Sequence, residues 1–75
     1  MKETNHELKE IIRRSGVPIH FLAANMMVSE EIARELLKCK LSDDETFAIH
    51  EKLTFARRGA KRCRIKPLGR EDYDI

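Results

Sequence analysis

Between Gly16 and Glu45 the chain carries one helix stop and three helix starts, and this punctuation limits it to short helices joined by tight links. Gly16 ends the first apolar-periodic segment, because glycine accepts the left-handed conformation that closes a helix. Pro18 opens the next, at a position where its missing N–H has no intrahelical partner to lose. Ser29 offers a hydroxyl to an orphan amide, and Glu30 and Glu31 suit the positive end of the helix that follows. Ser42 with Glu45 three residues later forms a capping box.

The periodicity between these signals is that of amphipathic helices. From about Asn5 to Ser15, Leu8, Ile11 and Ile12 form an apolar stripe, with Glu7, Lys9, Glu10, Arg13 and Arg14 on the other side. The second helix, eight or nine residues long, places Ile19, Leu22, Ala23 and Met26 on one face and Phe21, Ala24 and Asn25 opposite. The third, Ser29 to Lys38, is expected to bury Ile32, Ala33, Leu36 and Leu37. The fourth, Asp43 to about Arg58, buries Ile49, Leu53 and Ala56, with Phe55 at its flank and Phe47 pointing away. The expected fold is all-α: four to five short helices in a domain spanning residues 1–58.

Beyond Gly59 the pattern changes to period 2, with Cys63 and Ile65 alternating with Arg62, Arg64 and Lys66 before Pro67. That reads as an extended basic arm over residues 59–75 with an acidic tip. Because Leu8, Ile12, Leu22, Ile32, Leu36, Ile49 and Leu53 all precede it, a chain ending at Ala56 is expected to keep its helices.

Seventy-five residues make one small domain with a thin core, which leaves no room for a shielded catalytic site. No enzyme is expected, and no catalytic residue, cofactor or metal is assigned. His6, His20 and His50 have no ligand spacing, and Cys39 and Cys63 form no CxxC pair. No segment is long and apolar enough to span a membrane, and the start "MKETNHELKE" has no apolar leader, so a soluble cytoplasmic protein is expected.

Charge points to a partner. Residues 1–56 hold eight Lys/Arg and ten Asp/Glu, whereas residues 57–70 hold seven Lys/Arg and no acid. The last five residues, "EDYDI", carry three acids and no base. A mildly acidic body with a basic stretch suits a polyanion. Only Tyr73 lies near that stretch, too little aromatic surface for RNA recognition by stacking.

From Leu8 to Leu53 the spacing of Leu8, Ile12, Gly16-Val17, Leu22-Ala23, Met26, Val28-Ser29, Leu36 or Leu37, Ile49 and Leu53 resembles the lambda-repressor-like (Cro-like, XRE) helix-turn-helix family, in the small form carried by phages and mobile elements. The resemblance implies a DNA-binding transcription regulator, with the third helix in the major groove and dimers on paired half-sites. Met27 stands where the family usually has a turn glycine, Ile19 where it often has a glutamine, and Glu30 and Glu31 where contacts are usually polar or basic.

Those acids bear on the chemistry. Glutamate can accept from cytosine N4, but Glu30, Glu31 and Glu35 outnumber Arg34 and Lys38 on the exposed face, and nonspecific affinity comes from cations. The candidate DNA contacts are therefore Ser29, Glu31, Arg34 and Lys38 on the helix, with Arg57, Arg58, Lys61, Arg62, Arg64 and Lys66 supplying the attraction. A second reading stays open. Phe21, Met27 and Phe47, with Glu30 and Glu35, would make an apolar and acidic surface for a second copy or a host protein, such as a defence nuclease inhibited by a phage product.

Overall fold

Each expected cap is present in the computed structural model, which describes residues 4–75; the first three residues of the expected 1–58 domain lie outside the described residues. Helix α1, His6–Ser15, ends at Gly16, whose φ of 74° is left-handed. Helix α2, Ile19–Met26, starts after Pro18. Helix α3, Glu30–Lys38, is capped by Ser29, whose hydroxyl accepts from the Ile32 amide at 3.2 Å. Helix α4, Asp43–Arg62, opens with the full box: Ser42 Oγ accepts from the Glu45 amide, and Glu45 accepts from the Ser42 amide, both at 3.2 Å. A single 3-10 turn, Arg70–Asp72, follows. The fold is all-α, and no strand occurs among the described residues.

α2 is the hub, packing on both α3 and α4, while α1 packs on α4. Ile12, Leu22, Leu37 and Leu53 are the largest side chains fully removed from solvent. Burying each contributes about 1.5–3 kcal/mol relative to exposure. Leu8, Val17, Ile19, Ala23, Ala33, Ile49, Ala56 and Ala60 complete the core.

Four expectations are corrected, three of them within the helices. The stripe of α3 is narrower than expected: Ala33 and Leu37 are buried, Leu36 is half-buried and Ile32 is 50% exposed. One face of a nine-residue helix docks, chiefly on α2, so its outer apolar positions stay at the rim. Phe21 is half-buried against the core instead of facing solvent, because Gly59 leaves room for its ring. Lys9, expected on the solvent side, is buried; a lysine's long stem lets it be covered without burying an unpaired head.

The largest correction concerns the arm. α4 does not stop near Arg58 but continues to Arg62, with Ala60 in the core. It ends where Arg64 turns left-handed at φ 55°, so that the Ile65 amide donates to Ala60 and the Arg64 amide to Lys61. This pairing satisfies the last carbonyls of the helix without a glycine. The remaining chain then folds back over the body. The Leu68 amide donates to the Gly16 carbonyl at 2.9 Å, and Ile65, Tyr73 and Ile75 pack against the core.

Candidate functional site

The family resemblance implies that α3 enters the groove, with the attraction coming from Arg57 to Lys66; in the structure the charges of α3 are largely spent on one another. Arg34 is held by Glu30 at 2.9 Å, one turn apart, and Lys38 lies 3.9 Å from Glu35. Neither is an expensive pair to break, since exposed pairs of this spacing contribute only about 0.3–0.5 kcal/mol. Ser29 accepts from its own helix, which ties its hydroxyl to the cap. Glu31 is exposed in the first turn of α3.

The cations beyond α3 behave differently. Arg57, Arg58, Lys61, Arg62, Arg64 and Lys66 are all exposed, and among the described residues none of them has a carboxylate within ion-pair reach. Four of them lie on the last turns of α4, where the helix dipole favours positive charge. Arg57 and Lys61 rim a cleft of about 160 Å³ whose other wall is the α1–α2 link, Ser15 to Pro18, and Ile65 and Pro67 close it. The structure thus brings Arg57 and Lys61 to the start of α2.

On the other side of Pro18 lies a second cleft of about 250 Å³, between the start of α2, Glu30 and Arg34 of α3, and Asp72, Tyr73 and Asp74 of the returning chain. Arg34 Nε is shielded from solvent and has no hydrogen-bond partner among the described residues. The acidic tip is fixed by four contacts. Arg70 bonds both carboxylate oxygens of Glu10 at 2.8 and 2.9 Å, and Tyr73 donates to the Val17 carbonyl at 2.7 Å. Arg13 donates to the Ile75 carbonyl at 2.8 Å, and the Leu68 amide reaches Gly16 as described.

The ionisation of Glu10 and of Tyr73 is shifted. Desolvation pulls the Glu10 carboxyl upward, but the hydrogen bond from Arg13 and the charges of Arg70, Arg13 and His6 outweigh it and hold the group below the usual carboxylate range. Burial pushes the Tyr73 phenol up, opposed by a hydrogen bond with Ser15 and aided by the charge of Asp72.

Of the apolar candidates, Phe21 is taken into the body, whereas Met27 is 91% and Phe47 69% exposed. Phe47 lines a groove with Ile11 and His50 between α1 and α4. Met27 sits in the α2–α3 turn at φ 61°, the left-handed conformation that a glycine would adopt freely. Glu35 is exposed beside Lys38. Sequence reasoning missed Glu10 and Tyr73, because the partners that fix the tip include backbone carbonyls, which no residue pattern marks. No three potential metal ligands gather among the described residues, and no helix there is long and apolar enough to cross a membrane. No family model, curated protein or solved structure matches the chain.

Proposed function

We propose that the chain is a small helix-turn-helix module of the phage or mobile-element type that binds duplex DNA and regulates transcription in the cytoplasm, and that its phosphate contacts come chiefly from the end of α4. The observation that carries this reading is the contrast in pairing. The two α3 cations sit against α3 glutamates, while the six cations from Arg57 to Lys66 face solvent with no carboxylate in ion-pair reach among the described residues. A polyanion displaces counterions from unpaired cations at no cost in broken ion pairs, so affinity follows the α4 end. α3 then contributes position and, through Glu31, an acceptor for cytosine N4. A homodimer on paired half-sites is the form that the family resemblance implies.

The test is the salt dependence of binding to a mixed-sequence duplex. Changing Lys61, Arg62, Arg64 and Lys66 to alanine lowers the slope by about 3–4, at ~0.9 per phosphate contact. A slope that does not move removes the α4 end from the interface.

A second reading rests on Met27 and Ile32, which leave an apolar surface around the α2–α3 turn beside the acids Glu30 and Glu31. Such a surface suits a protein partner, such as a host nuclease, better than a phosphate backbone. It is favoured if the chain ignores duplex DNA at low salt.

A further inference from the structure

The two clefts flanking Pro18 have opposite character. Arg57 and Lys61 stand on one side, and Asp72 and Asp74 on the other, next to Arg34. A duplex lying on the α4 cations and running over the start of α2 toward α3 therefore meets the chain's own carboxylates first. We infer that residues 70–75 form an intramolecular cover over the α2–α3 face, and that a polyanion and this acidic tip occupy the face in turn. The inference rests on the nucleic-acid reading above.

The attachments of the tip fit a cover that opens. Its hydrogen bonds run to the α1–α2 link and to side chains of α1, through Val17, Glu10 and Arg13, and none is made to α3. Releasing it opens the cleft that Arg34 shares with Asp72, Tyr73 and Asp74, without removing any of the largest buried side chains of the core. The displaced groups are carboxylates, so the competition is between like charges for one surface. Only the molecule with more charge, and with the α4 cations as a second foothold, displaces the other.

Tyr73→Phe separates covering from simple repulsion, since it removes the bond to Val17 and changes no charge. With a mixed-sequence duplex at low salt, Tyr73→Phe is expected to tighten binding about fivefold, the factor that one net hydrogen bond represents when the covered state dominates. Asp72→Asn with Asp74→Asn is expected to tighten it further. In the unaltered chain Tyr73 is the only tyrosine and there is no tryptophan. Its emission should thus become more accessible to acrylamide when duplex is added. Equal affinity for the unaltered chain and Tyr73→Phe, with quenching unmoved by duplex, overturns the cover while leaving the DNA reading in place. Failure of all three proteins to bind duplex overturns the DNA reading, and the cover with it.

Discussion

Gly59 lies beneath the ring of Phe21: a Cβ at position 59 would stand 3.1 Å from Phe21 Cε1 and 3.2 Å from Cζ. This contact explains why a glycine sits inside α4 rather than at its end. A mid-helix glycine costs about 1 kcal/mol against alanine, and here the close approach of an aromatic ring offsets it. Gly59→Ala is expected to be nearly neutral in the unaltered chain, since propensity and crowding oppose. In a Phe21→Ala background the same change should stabilise by about 1 kcal/mol. Thermal melts of the four proteins in the cycle check this, and equal effects in both backgrounds would reject the contact.

Leu37 and not Leu36 is the buried leucine of α3. Leu37→Ala is expected to cost about 2–5 kcal/mol, enough to unfold much of so small a domain. Leu36→Ala should cost clearly less. Ending the chain at Ala56 removes Ala60 from the core and the contacts of Ile65 and Tyr73, so it should lower helicity and melting temperature together. Circular dichroism and melting curves decide both points.

Met27 holds a strained conformation with nothing to pack against, being left-handed and 91% exposed. A non-glycine residue there costs roughly 1–2 kcal/mol, of which glycine's greater unfolded freedom takes back part. Met27→Gly should therefore raise stability by up to about 1 kcal/mol, seen as a melting temperature several degrees higher. If Met27 docks on a protein partner, that same variant loses the partner while the fold gains.

If the chain binds duplex as proposed, Glu30→Gln is expected to free Arg34 from its ion pair and tighten binding to a mixed-sequence duplex, whereas Glu31→Gln acts there mainly by removing a repulsive charge. Each change should cost the fold the dipole contribution of about 0.3–1 kcal/mol, and Glu30→Gln a further ~0.3–0.5 kcal/mol for the lost pair with Arg34. Affinity at two salt concentrations distinguishes them: a larger gain for Glu31→Gln would mean that Arg34 makes no phosphate contact.

Docking of the tip should depend on pH at both extremes. Glu10 is held below its ordinary range when Arg70 and Arg13 are in place. Its contribution is present above that range and is lost as the pH falls through the lowered value. Tyr73 is pushed upward, so its contribution is whole below the ordinary phenol value of about 10 and is lost as the pH rises through the raised one. Acrylamide quenching of Tyr73 against pH should show a protected plateau between these limits.

The capping signals were legible because each is a residue type with one local task. Gly16, Pro18, Ser29 and the Ser42–Glu45 box all stand where the sequence placed them. Gly59 misled for the same reason: a glycine after a run of helix formers looks like a stop, and only the ring of Phe21, 38 positions earlier, gives it another purpose. The fold-back of residues 65–75 was invisible because its acceptors at Gly16 and Val17 are main-chain oxygens. In the candidate site the unpaired cations were readable from the sequence as a run of charge. The self-pairing of α3 was only half so, since Glu30 and Arg34 are four apart but the approach of Asp72 and Asp74 is not local.

Asn5, itself left-handed just before α1, donates its side-chain amide to the carbonyls of Leu37 at 2.9 Å and Cys39 at 2.7 Å. Two of the orphan acceptors at the close of α3 are thereby tied to the entrance of α1. In hydrogen-exchange terms, the last turn of α3 and the first turn of α1 should open as one unit. Asn5→Ala would then speed amide exchange at both ends of that bond, some thirty residues apart, while the α2 interior keeps its own slower rate.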